Sequence, residues 1–445
     1  MCYRFIKHIK VTLLSLLFVV TIDVQDASAF DVTDTIKTAI STHPILKAEQ
    51  ASKNISRHTV KESRAALFPR VSVTAQTGRV SQNNDTTRAQ TSDADNAQSY
   101  IGEGAISLNQ GLYDGSAGKN RYKAAKDRQK ASDFDYETNL IEVMRAAIRA
   151  HIDVVRARQL VEETQSFLSD VGSYRERMEI LVNEGAIGQS ELLQADELII
   201  LTQNALLGYQ EELSIHEASY QEAVGHVPLS TLNVTTQDID THIPDTLDKA
   251  LAFARRDHPS LRSADYMAAA FNKETKAEQG TIKPRVDAEL SYSERDQEEP
   301  LGGEVENLQA LLTMSWDFSF GGAYSARVKR TRAQEDRAHA EKNRRLYIIE
   351  RDVRQRYAEL TASEKQLKIL KQRKDANTAI FDSYRGEFEA GTRSILDLIN
   401  AQNRVYDAKI SHIAGIYKRQ LAKYDILGAI GNIHSVLGYS GSSSP

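Results

Sequence analysis

Gly391-Thr392-Arg393-Ser394-Ile395-Leu396-Asp397-Leu398-Ile399-Asn400-Ala401 has a counterpart 206 positions earlier, Gly185-Ala186-Ile187-Gly188-Gln189-Ser190-Glu191-Leu192-Leu193-Gln194-Ala195. In both, a glycine closes a long helical pattern, a short loop follows, and a serine and an acidic residue lead into a new apolar-periodic run. A glycine stop and a capping start are the punctuation of two helices joined as a hairpin. The stretches predict the tips of two long antiparallel coiled coils, with Ser394 and Ser190 as caps and Asp397 and Glu191 as first-turn acids.

The same offset carries Ile106 onto Leu312, Gly115 onto Gly321, Ala223 onto Ala429 and Gly225 onto Gly431. Upstream, His43-Pro44-x-Leu46 matches His258-Pro259-x-Leu261, and Pro69-Arg70-Val71 matches Pro284-Arg285-Val286, at an offset of 215. A register kept through the hairpin and broken only between the proline and the Gly turn means helices of constrained length and a loop of free length. The chain reads as one duplicated unit, with repeats at 30–225 and 258–431, a connector at 226–257 and a tail at 432–445.

With only 8 Pro in 445 residues, long helices are favoured over a turn-rich fold. Arg4, Lys7 and Lys10, the apolar run from Val11 to Val20 and Ala27-Ser28-Ala29 have the three zones of a secretory signal peptide over residues 1–29. The uncharged run is well short of the ~20 apolar residues a membrane span needs. Cys2 lies inside that segment, so the exported chain is expected to carry no disulfide or thiolate metal site. The segment holds Arg4, Lys7 and Lys10 against Asp23 and Asp26, so its loss takes the formal charge from −5 to −6, which argues against nucleic acid as a partner. No later stretch is apolar over ~18 residues, so any membrane crossing after export must be by β-strand.

After Pro69 the period changes from helical to alternating. Val71, Val73 and Ala75 alternate with Ser72, Thr74 and Gln76; Gly104, Ile106, Leu108 and Leu112 lie opposite Glu103, Ser107 and Asn109. The second repeat gives Val286, Ala288, Leu290 and Tyr292, then Ala310, Leu312, Met314, Trp316 and Phe318, on the corresponding face. Four strands of about ten residues, apolar on one side and polar on the other, suit an outer-membrane barrel with lipid outside and water inside. Four strands cannot close a barrel, since the smallest have about eight, so several chains must share it. A four-stranded sheet on a soluble core fits the pattern equally, but the duplicated helices are too long to cover so small a sheet.

From Ser116 a helix is expected to run to Asn183, on the order of 100 Å at 1.5 Å per residue. It carries two apolar stripes, which implies two neighbours and a wall of helices. Each shorter return helix, stacked on the helix before the proline, matches its long partner in length. The leftover segments, Phe30 to Thr42, His226 to Asp257 and Asn432 to Pro445, are expected to form a collar around the middle.

These features together resemble the TolC family of outer-membrane channel proteins. The resemblance rests on the His-Pro-x-Leu helices at 43 and 258, the strands opened by Pro69 and Pro284, the Gly turns at 115 and 321, and the tips at Gly185 and Gly391. It implies an internally duplicated α+β membrane protein. Three copies would form a twelve-stranded barrel in the outer membrane of a Gram-negative bacterium and a twelve-helix tunnel across the periplasm. It also implies a homotrimer that meets outer-membrane lipid, a periplasmic adaptor and an inner-membrane pump or ABC exporter. By the same resemblance Arg393 would hold a closed mouth, with Glu191 as an acceptor from the first tip, and Asp397 would ring the axis. The chain departs from the family where Phe388 replaces a tyrosine and Asn400 a second ring aspartate. Phe30 after Ala29 leaves no cysteine for a lipid anchor.

The expected function is a passive exit duct for an efflux pump or a one-step protein secretion system, gated at the tips. A periplasmic or surface coiled-coil adhesin is the alternative, and it leaves the four matched strands unexplained. No nucleophile and base set, metal-spaced cluster or phosphate loop is present, so neither catalysis nor a cofactor is expected.

Overall fold

The computed structural model describes residues 30–82, 85, 97–234, 239–297, 303–318 and 320–439. The expected leader at 1–29, most of the polar tract between the first two strands and the end of the tail fall outside the described residues.

The elements recur twice in one order. Helices α1 (Val32–Thr42) and α2 (Pro44–Ala65) precede strands β1 (Arg70–Gln82) and β2 (Ala97–Tyr113), then helices α3 (Ala117–Asn183) and α4 (Gln189–Val224). The second pass gives α5 (Leu247–Asp257), α6 (Pro259–Gly280), β3 (Arg285–Gln297), β4 (Glu304–Ser315), α7 (Ala323–Glu389) and α8 (Ile395–Ala429), with a final turn α9 (Ile433–Val436). Helix α5 stands to α6 as α1 to α2, so we read the second copy as starting at Leu247, inside the segment assigned above to the connector.

Local chemistry sets these boundaries. Pro44 and Pro259 occupy the first turn of their helices, where a missing N–H does no harm. The preceding His43 and His258 accept through Nδ1 from the Ile45 and Ser260 amides at 3.3 and 3.2 Å. At the far end of the hairpins Gly185 and Gly391 take φ of 74° and 76°, the left-handed conformation that ends each long helix.

The four strands form one antiparallel meander, β1-β2-β3-β4. Its register puts Val73, Ile106, Tyr292 and Leu308 in one row and Val71, Leu108, Leu290 and Ala310 in the next, so one face is apolar across all four strands. The opposite face is polar: Ser72 and Ser107 hydroxyls lie 2.7 Å apart, and Glu103 accepts from Gln76 at 2.6 Å and from Arg295 at 3.2 Å.

Three strand expectations need correction. The strands have 13, 17, 13 and 12 residues rather than about ten. Leu112 does not continue the apolar row: the register shifts between Gly111 and Tyr113, and Tyr113 takes the place opposite Val286. Trp316 and Phe318 lie beyond β4, because its partner β3 begins only at Arg285, after Pro284; the Trp316 indole instead donates to the Ile282 carbonyl at 3.0 Å.

Below the sheet the helices form a wall. In its upper half the order is α2, α3, α6, α7, and in its lower half α4, α3, α8, α7. The collar of α1, α5 and α9 packs on this wall around Ile36, Met144, Ile148, Tyr220, Ile426 and Ile433, all almost fully buried. His151 of α3 is held there by the Thr35 hydroxyl at 2.7 Å and the Asn233 carbonyl at 3.0 Å, a structural role in agreement with its place in an apolar stripe. The two hairpins are tied where Arg149, Arg356 and Arg145 converge on Asp425 at 2.7, 3.2 and 3.5 Å.

Candidate functional site: the paired tips and the faces of the wall

Each tip is closed by the same backbone turn. Thr392 and Gly391 amides donate to the Glu387 and Phe388 carbonyls, as Ala186 and Gly185 donate to Leu181 and Val182. Met178, Leu192 and Ala195 from the first tip and Ile395 and Ile399 from the second make one small buried core. Phe388 packs against this core. It packs with the residues that join the two tips.

Arg393 does not reach across to Glu191. Its Nε and Nη2 lie 2.9 Å from Glu387 Oε2, its guanidinium carbon is 4.1 Å from the centre of the Tyr384 ring, and its Nη1 is 3.9 Å from Asp397. The turn folds the loop back over the last turns of α7, so the nearest carboxylate belongs to the same hairpin. Hydrogen bonding to Glu387 accordingly raises the Arg393 pKa above its ordinary value. The hydroxyl lost at Phe388 has a neighbour one turn earlier in Tyr384, whose ring Arg393 covers.

The caps differ between the tips. Ser394 Oγ accepts from the Asp397 amide at 3.0 Å, as expected, and leaves the Asp397 carboxylate free of the cap. Ser190 is not a cap: Gly188 holds that position without a side chain, and Ser190 is already inside α4. Glu191 Oε2 is buried and has no hydrogen-bond partner among the described residues. Asn400 is exposed on α8 one turn beyond Asp397.

One pattern was legible in the sequence and overlooked in favour of apolar stripes. Every seventh residue of α3 from Arg121 is charged: Arg128, Asp135, Glu142, Arg149 and Arg156, continuing to Glu184, and none of these is buried. The line shifted by two, Lys123, Lys130, Glu137, Met144 and His151, lies on the side that carries the collar. Around the collar, α3 therefore has a charged line on one side and a packed apolar side on the other.

The apolar sheet face is open: Ile106, Leu108, Leu312 and Met314 are all exposed in the single chain. Aromatic residues flank it at the helix end, where Phe68, Tyr113, Trp316, Phe318 and Phe320 are exposed, and Tyr100 lies toward the other end. Apolar bands edged by aromatic girdles are the signature of transmembrane strands.

The model of the outer membrane efflux protein family matches residues 35–226 and 251–432. The chain belongs to that family. It is therefore an outer-membrane channel protein that extends into the periplasm, not an enzyme. This efflux protein is 23% identical over 333 residues to the outer membrane efflux protein BepC of Brucella suis, covering 74% of this chain and 72% of the relative. It is 21% identical over 418 residues to the alkaline protease secretion protein AprF of Pseudomonas aeruginosa, covering 91% and 84%. Its fold matches the crystal structure of the Campylobacter jejuni CmeC outer membrane channel with a TM-score of 0.77 at 13% identity, over 90% of this chain and 86% of that one.

Proposed function

We propose that three copies of this efflux protein close into a ring and form a continuous duct from the periplasm to the outside. The barrel would comprise twelve strands and the tunnel twelve helix columns. The observation that carries this is the pair of open edges. β1, α2 and α4 lie along one side of the protomer and β4 and α7 along the other. On the first edge Leu193, Ile200 and Leu207 of α4 stand exposed in steps of seven, and on the second Ile369 and Ile380 of α7, eleven residues apart, are exposed. Two different edges that must meet each other give a head-to-tail contact, which closes as a ring. The count of three comes from the family. In such a ring the charged line of α3 lines the water-filled bore.

The tips are the gate. Arg393, held by Glu387 and Tyr384, keeps the loop of the second tip folded back on α7, and an adaptor with an inner-membrane pump or ABC exporter would loosen it. The mass of the gently solubilised protein tests the ring: a trimer is expected, and a monomer in the folded state would overturn it. The likeness to AprF across most of the chain favours a second reading, export of a polypeptide in one step. Deletion of the gene distinguishes the cargo, since loss of a secreted protein with unchanged drug tolerance supports secretion and the reverse supports efflux.

A further inference from the structure

The helix ends just below the sheet are strongly basic. Between Ala117 and Lys130, α3 carries six Lys or Arg against one acid, Asp127, and α7 carries Arg327, Lys329, Arg330 and Arg332 before its first acid at Glu335. This in a chain of net charge −5 is a local excess of one sign. Three of the carboxylates around it are engaged: Asp114 accepts from the Gly118 amide, Glu274 pairs with Arg128, and Asp287 with Arg285. Lys119, Lys123, Lys276, Lys329 and Arg332 are exposed and make no ion pair among the described residues.

Their direction follows from the wall. Lys123 and Lys130 share the seven-residue line of Met144 and His151, which faces the collar, and Lys119 and Lys126 lie beside it. They therefore point outward from the tube and away from the charged line of the bore, and Lys329 of α7 is the counterpart of Lys123 at the offset of 206. At 1.5 Å per residue, Lys119 to Lys126 lie within roughly 15 Å of the start of α3, directly beneath the aromatic girdle. That is the depth of the headgroups of the leaflet facing the periplasm.

We propose that this outward lysine belt binds the phosphates of anionic phospholipids in the periplasmic leaflet and so fixes the height of the channel in the membrane. The aromatic girdle above supplies the apolar stop, and the exposed lysines supply the charge. The inference rests on the reading of the sheet as lipid-facing.

The test is native mass spectrometry of the full-length protein released from vesicles of phosphatidylethanolamine, phosphatidylglycerol and lipid A, counting retained lipids. Retention enriched in phosphatidylglycerol over its bulk fraction is expected. The combined Lys119→Gln, Lys123→Gln and Lys329→Gln variant should reduce that enrichment about tenfold, while the matching Lys→Arg variant keeps it. Equal retention in the Gln variant, enrichment of lipid A instead, or no enrichment in the wild type would each overturn the belt. Failure of the lipid-facing reading registers separately, as loss of vesicle insertion in every variant including the wild type.

Discussion

Arg393 and Glu387 bracket the second tip as an ion pair with both Nε and Nη2 at 2.9 Å from one carboxylate oxygen, and the bond stays inside a single hairpin. Both side chains are between a third and two fifths exposed, so water screens the pair and it is weak beside the packing that holds the fold. A clasp of that kind can bias a gate without affecting the fold. Arg393→Ser and Glu387→Gln should both raise single-channel conductance in planar bilayers, with trimer yield unchanged. Glu191→Gln should not reproduce the effect. If Glu191→Gln acts like Arg393→Ser and Glu387→Gln does nothing, the clasp runs between tips and the assignment here is wrong.

Gly280 and Gly115 meet backbone to backbone where the end of α6 crosses the turn into α3. A Cβ on Gly280 would sit 2.7 Å from the Gly115 carbonyl oxygen, and one on Gly115 2.2 Å from the Gly280 oxygen, with φ of +68° in addition. Gly280→Ala should destabilise by about 3 kcal/mol or more, read as a fall in the melting temperature. Gly172, inside α3 with open space around it, is the control, and Gly172→Ala should stabilise by about 0.5–1 kcal/mol. Equal effects at the two sites would show the close approach to be unimportant.

The reach of the sequence differs between these features for a physical reason. Helix ends were readable to within a residue or two because their signals are local: proline after histidine, glycine at positive φ, and serine as cap at Ser394, though not at Ser190. The apolar rows of the sheet were readable because alternation is fixed by the pleat. The partner of Arg393 was not, because Glu191 and Glu387 differ only in how the loop folds back over α7. The bulge that replaces Leu112 by Tyr113 is likewise a property of the pairing with β3, invisible in β2 alone. The charged line of α3 was fully present in the sequence, since it needs only a count by sevens.

Leu312 and Thr313 are neighbours on β4 with opposite faces, opposite Ala288 and Asp287 respectively. Leu312→Arg should cost about 2–4 kcal/mol near the bilayer midplane, and Thr313→Arg close to nothing. Heat-stable trimer on gels is the readout. Equal loss from both would mean that the sheet does not separate lipid from water.

Asp397 caps no backbone group with its carboxylate, and Asn400 follows on the same exposed side of α8. Repeated around a ring, the carboxylates attract cations at the mouth. Asp397→Ala should lower cation selectivity and block by divalent ions, measured as a reversal-potential shift. Asn400→Asp should do the opposite. Unchanged selectivity in both would remove Asp397 from the mouth.

The last prediction concerns acid. His258 is half-buried at the start of α6, with Asp352 and Arg145 as its charged neighbours, and its removal from water lowers its pKa from the ordinary 6.5 to about 4. Burial also lowers His151, which faces Thr35 and the Asn233 carbonyl. A histidine with a depressed folded pKa binds its proton more readily in the unfolded chain. The stability it contributes is therefore present above the unfolded value and is lost as the pH falls below 6.5, fully so for His258 once the pH passes about 4. A shift of that size corresponds to something on the order of 3 kcal/mol. The melting temperature of the purified protein should fall steadily from pH 7 to 4. His258→Asn keeps a side chain that can cap α6 while removing the titration, so it should flatten that fall. A wild-type melting temperature that does not change over this range, or a His258→Asn variant with an unchanged slope, would show that the junction of collar and wall is not where acid acts.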